Sequence, residues 1–211
     1  MNKKILALIG LVVFLVALSI SNIDSTAQRA LPTPNIPDTA QNRQIMETIN
    51  RAREIEREAT LTFNFERFDQ IFINDPRFPV SEGTLQTIRE LTYDPSWETA
   101  GFLDYKLAYY TWTRDAILKK EALEAKAKTE NRELTKEERQ SLVDEFGRPA
   151  PARPPSEPQD NAPSIKLLSI EVNEDIATVK LDDGPRIVEY VLVLVNHQWY
   201  MAHMTILVIK A

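Results

Sequence analysis

Residues Gly101–Lys120, GFLDYKLAYYTWTRDAILKK, place the tightest constraint on any fold open to this chain. At roughly 100° per residue, a helix here puts Leu103, Leu107, Tyr110, Ile117 and Leu118 on one stripe. Tyr105, Ala108, Tyr109, Trp112 and Ala116 fall on the far side, with Asp104 and Asp115 on the flank between. A helix apolar on one face rests on one core surface, whereas a helix apolar on two faces has to be covered twice. The rest of the chain must supply both covers.

The segments on either side suggest what they are. Thr39 or Asp38 caps a helix over about 40–61, whose stripe is Ile45, Ile49, Ala52, Ile55 and Ala59. Its outer face is Arg and Glu and reads as solvated. Phe65, Phe68, Ile71 and Phe72 suit a short helix that Asn74-Asp75-Pro76 ends in a turn. A further helix over about 82–92 turns Leu85, Ile88 and Leu91 inward. Past Lys120 the central helix runs on as EALEAKAKTENR, where its aromatic side vanishes, and it is expected to project into solvent. Thr135 and Glu138 form a capping box for a helix over 135–146, closed by Gly147.

Residues 148–163, RPAPARPPSEPQDNAP, are proline-rich and carry no large apolar group, so they read as a linker or insertion. From Ser164 the pattern changes to strands, at about 165–172, 175–182, 186–195 and 198–208. The turns between them are short, which makes an antiparallel meander. RIVEYVLVLV and QWYMAHMTILV are apolar on both faces and are expected mid-sheet under cover, away from a bare edge. Four strands alone cannot bury their own apolar face. The expected architecture is a single α+β domain over 42–211, with N-terminal helices packed on a curved C-terminal antiparallel sheet. In it the sheet covers one stripe of the central helix and the first helix covers the other.

The N-terminus reads as an export segment. Lys3 and Lys4 precede the uncharged run Ile5–Ile20, which as a helix of roughly 16 residues spans about 24 Å, short of a ~30 Å hydrocarbon core. Ser25-Thr26-Ala27 offers the small residues a signal peptidase reads. Residues 1–27 therefore fit either an uncleaved anchor or a leader removed near Ala27, and the lysines send the remainder outside. Residues 28–41, with three prolines, form a tether. The net charge of −6 disfavours nucleic acid, and the membrane is met only through the N-terminal segment. Cysteine is absent, which excludes disulfides, thiolate metal sites, cysteine nucleophiles and a lipidated cysteine.

The order of an amphipathic first helix, a short second one and a terminal sheet whose last hairpin carries a tryptophan resembles the nuclear transport factor 2-like superfamily. That is the cone-shaped α+β fold shared with ketosteroid isomerase. The matching stretches are Ile45 to Ala59, FERFDQIF, and DIATVKL with RIVEYVLVLVNHQWYMAHM. Within them Ala177 and Val179 precede the long apolar strand Tyr190–Val195, the turn Asn196-His197, and Trp199-Tyr200-Met201. The chain departs from the family in having no strand pair among its helices, and in a segment, 119–163, longer than the fold needs. The resemblance implies a cone with a pocket between sheet and helices, and no particular ligand, because the superfamily spans isomerases, dehydratases, hydrolases and non-enzymatic binding or assembly modules.

The chemistry available is sparse. Two histidines occur, His197 in a turn and His203 on the last strand. Strict alternation puts His203 on the face of Trp199, Met201 and Thr205, so that it lies on a pocket wall if Trp199 points into the cone. Enzymes resembling this fold use an Asp–His pair or a single Asp base, and Asp104 and Asp115 are the carboxylates to pair with His203. The alternative is a histidine satisfied by backbone or solvent. Tyr105, Tyr109 and Trp112, with Trp199, could line a ligand pocket, form a contact face for a protein, or simply be core. No HExxH, glycine-rich phosphate loop or EF-hand pattern occurs, so no metal or cofactor is expected. The expected function is a non-catalytic binding or assembly module outside the cytoplasmic membrane, with a protein partner or a small apolar ligand and the oligomeric state open. The alternatives are a small-molecule isomerase, dehydratase or hydrolase using His203, or a structural member of an envelope complex contacting it through residues 119–147.

Overall fold

Local capping chemistry fixes where each helix begins and ends. Residues 36–153 and 165–210 are described by a computed structural model. The export segment, most of the tether and the second half of the proline-rich stretch lie outside them. Helix α1, Ala40–Thr62, starts where Thr39 accepts a hydrogen bond from the Asn42 N–H at 3.0 Å, and stops where Phe63 turns to φ 58°. Helix α2, Glu82–Thr92, is capped by Ser81 and ends at Tyr93, φ 54°. Helix α4, Lys136–Phe146, carries the full capping box of Thr135 and Glu138 and ends at Gly147 in the left-handed region. Between Phe65 and Phe72 the chain makes only a 3-10 turn, Phe68–Gln70, where the aromatic spacing suggests a short helix.

The long helix α3, Phe102–Thr129, depends on a close approach at its N-terminus. The Gly101 N–H donates to Asp104 Oδ2 at 3.0 Å, and the Asp104 N–H donates to Asn74 Oδ1 at 3.2 Å. Asn74 occupies the space a side chain at 101 would need: a Cβ there would lie 2.3 Å from Asn74 Oδ1. The glycine thus lets the loop after the 3-10 turn cap the central helix.

Four strands follow in the order β1-β2-β3-β4, all antiparallel: β1 Lys166–Asn173, β2 Ile176–Asp182, β3 Arg186–Val195 and β4 Gln198–Ile209. The architecture is α+β with a curved, unclosed sheet. Asn196 and His197, both at positive φ, make the tight turn into β4. Two bulges mark the β3–β4 ladder. Leu192 faces Met201 while Val191 faces His203, and Val188 faces Ile206 while Ile187 faces Val208, so Ala202 and Leu207 are each one residue extra. β3 lies mid-sheet as expected from its composition. β4 does not: it is the edge, and only its first half is covered, where Ile71 and Ile73 bond to Met201.

The central helix is covered twice, but the two covers are adjacent, not opposite. Phe102, Lys106, Thr113 and Ile117, with Tyr110, turn inward; Phe102 and Tyr110 join the main core of α1, the 3-10 turn and the sheet. Ala108, Trp112 and Ala116 pack on Leu85, Ile88 and Leu91 of α2. The aromatic side therefore meets the short second helix, not the first. Leu107 and Leu118, counted in the first stripe, are instead exposed, and so is Tyr109. Helical spacing gives directions around an axis, and here the neighbours chose a sector rotated from the leucine stripe.

The continuation past Lys120 also differs from expectation. It does not project into solvent, because α4 folds back on it: Ala127 and Leu142 are buried, and Arg132 grips Glu138 through two bonds of 2.7 and 2.8 Å. Arg132 holds the Glu138 carboxyl down to about 2. Arg153, entering the proline-rich stretch, is likewise tied to Glu121 and stacks 4.4 Å over the Phe63 ring.

Truncating the aromatic side should separate core from surface. Trp112→Ala is expected to cost about 3–5 kcal/mol in urea unfolding, and Tyr109→Ala less than about 1 kcal/mol. Equal losses would mean that both rings are core.

Candidate functional site

The bulge at Ala202 decides the fate of His203. One extra residue reverses the alternation that follows it. Trp199 and Met201 face the core with Leu192, while His203, paired with Val191, lies on the opposite face. There its Nε2 sits 3.1 Å from Thr205 Oγ1. The expectation that His203 shares a face with Thr205 holds, and the expectation that it shares one with Trp199 and Met201 is corrected. Neither proposed carboxylate is its partner. Asp104 caps α3, and Asp115 is bonded to Arg114 at 2.7 Å.

What the structure brings together is a different set. Asp104, Asp115 and Trp112 line a groove of ≈ 450 Å³ between α2, α3 and the end of α4, with Tyr93, Trp97 and Leu107. Its floor is aromatic and its rim carries the two carboxylates. Trp112 is fixed by its Nε1–H, which donates to the Phe146 carbonyl at 3.2 Å, and by Phe146 packed edge-on at 6.4 Å. The Arg148 guanidinium lies 5.3 Å over the Trp112 ring and 3.6 Å from Glu90. The concavity is apolar and aromatic, and Arg148 already lies over its indole, so it suits an apolar group. A second groove, ≈ 620 Å³ between α3 and α4, has no aromatic ring, and its Arg132 is committed to Glu130 and Glu138.

The other aromatic candidates are elsewhere. Trp199 is core at 3% exposure. Tyr105 bridges the two core clusters, and burial raises its phenol pKa. Tyr109 stacks loosely between Tyr105 and Tyr110.

One constellation went unread in the sequence. Lys106 is buried at 9% exposure, ion-paired with Glu56 of α1, and its ammonium lies 4.9 Å over Phe102 and 5.3 Å over Phe72. Tyr110, one turn on, has its phenol pKa raised by burial first and by the Glu56 charge second. Tyr190 of β3 is raised in the same way. The available signal was a lysine inside the run Phe102, Lys106, Tyr110, Thr113, Ile117, spaced as one helical stripe. Lys106 and Glu56 satisfy each other, so the cluster holds α1 to α3.

A comparable bracket ties the helical half to the sheet. Arg77 grips Asp75 at 2.8–3.2 Å and reaches Asp175, at the β1–β2 turn, at 2.9 Å. The turn Asn74-Asp75-Pro76 is therefore a clamp.

Removing one member of the buried pair should cost more than removing both. Glu56→Ala, which strands the ammonium, is expected to lose about 2–4 kcal/mol, and Glu56→Leu with Lys106→Met to recover most of it; urea midpoints of the single and double variants measure this. The Arg77 hydrogen bond holds the Asp75 carboxyl below 3.8, so its stabilisation is complete above that value and lost as pH falls below it. Asp75→Asn should accordingly flatten the acid limb of a stability–pH curve below about pH 4, and an unchanged limb would rule the bracket out as its source.

No family model, curated protein or solved structure matches this chain.

Proposed function

We propose that the chain is a non-catalytic binding module that works outside the cytoplasmic membrane, and that the α2–α3 groove is where it binds. Export and tethering rest on the sequence of residues 1–41, with Lys3, Lys4 and the uncharged run Ile5–Ile20. Among the described residues no helix is long and apolar enough to cross a membrane. The order of helices and sheet supports a nuclear transport factor 2-like cone; the charged segment that begins at about residue 119, with the end of α3 and all of α4, is read as an insertion in it.

The observation that carries the binding reading is the groove itself, an aromatic floor under Asp104 and Asp115. Its complement is a peptide segment presenting Lys or Arg beside apolar side chains. The enzymatic alternative needs His203 beside one of those aspartates, and the His203 ring lies instead on the sheet face turned away from the core, beside Thr205.

Filling the groove tests this. Thr111→Trp, at a half-buried lining position, should reduce capture of partners by the tagged full chain from its native membranes at least tenfold, with the unfolding midpoint unchanged. Equal capture by the filled variant would remove the groove from the function.

A further inference from the structure

The second half of β4 is an open sheet edge made of residues that belong inside a sheet. Up to Met201 the edge is closed, with Met201 N–H donating to the Ile71 carbonyl at 2.8 Å and Ile73 N–H to the Met201 carbonyl at 3.1 Å. From Met204 to Ile209 the outward backbone groups meet no strand among the described residues. The side chains along it are Met204, Thr205, Ile206, Leu207, Val208 and Ile209, and the last four are 43, 44, 47 and 78% exposed. Natural edges are blunted by lysine, by proline or by a bulge. Here only the bulge at Leu207 is present.

We propose that this edge pairs antiparallel with the same edge of a second copy, joining two four-stranded sheets into one across a two-fold axis near Leu207. Unpaired main-chain donors and acceptors call for a β-strand, not for a helix or a small molecule. Charge selects which strand. A two-fold at Leu207 sets Ile206 opposite Val208, Thr205 opposite Ile209 and Met204 opposite Lys210, so the one charge in the ladder meets an uncharged side chain and no like pair is opposed. The neighbouring Lys210 is neutralised within its own copy by Asp182 at 2.5 Å. Placing the axis at the bulge lets the irregularities face each other, with a short regular ladder on each side. Such pairing also places the second half of β4 mid-sheet, with its main-chain groups bonded on both sides. A six-residue ladder is smaller than a standard interface, about 800 Å² per partner, so the dimer is expected to be reversible and is best trapped covalently.

The lack of cysteine makes trapping clean, since each introduced thiol is the only one. Cysteine is placed singly at each position from 204 to 209 of the full chain, in its native membranes, and oxidised with copper-phenanthroline. A disulfide-linked homodimer is expected to peak at one or two positions, at least fivefold above Glu137→Cys on α4, because the bond requires Cα atoms within about 7 Å. Adding Ile209→Lys, at an exposed site that leaves the fold intact, should return the peak to the control level. The proposal is overturned if no position exceeds the control, if the added lysine changes nothing, or if the thiol is trapped on a different protein. A different protein bearing a strand would be a heterologous use of the edge. The groove plays no part in this test, so failure here leaves the proposed binding site untouched.

Discussion

Helix α3 has to be buried around more than half of its circumference, and the remaining elements are arranged to do it. Phe102, Lys106, Tyr110 and Ile117 demand α1 and the sheet, Ala108, Trp112 and Ala116 demand α2, and Ala127 demands α4. Each cover is amphipathic and unstable without α3, so the helices stand or fall together. Gly101 is the fixed point of the arrangement, since only a residue without a Cβ lets Asn74 close over the helix start. The buried charge pair has the same logic. Lys106 interrupts an apolar stripe, and Glu56 makes that tolerable only where α1 crosses α3 in one orientation.

Local structure was largely legible from the residues. Thr39, Thr135 and Gly147 announce helix ends, and the apolar β-branched runs in DIATVKL and RIVEYVLVLV announce strands, because both signals are carried by neighbours in sequence. What failed was whatever depends on a single residue shifting phase. Ala202 looks like any other strand residue, yet as a bulge it moves His203 to the far face. Leu107 and Leu118 look inward by count, but which sector of a helix is covered is set by partners that lie far along the chain. Helix α4 folding back on α3 was hidden for the same reason, since Ala127 and Leu142 are modest apolar groups among charges.

The candidate site was legible in part. Asp104, Asp115 and Trp112 do share one groove, because residues spaced 104, 108, 111–112 and 115 follow one side of a helix. The rest of the groove, Tyr93 and Trp97, comes from the loop after α2, whose position no spacing rule gives. The groove sets Trp112, held by its hydrogen bond to the Phe146 carbonyl, beside Asp104 and Asp115 in one concavity, the arrangement on which the proposed binding role rests.

The bridge between the Phe72 segment and Met201 has a consequence for how the chain is made. The ladder that finishes the core joins a residue from the first helical third to the final strand. Until β4 has emerged, the core that α1 shares with β2, β3 and β4 is incomplete, and the helical half is left with its hydrophobic side partly uncovered. Vectorial appearance of the chain from its N-terminus therefore cannot be matched by stepwise folding. The molecule must wait for its last strand and then close in one cooperative event, with long-range pairings setting the pace.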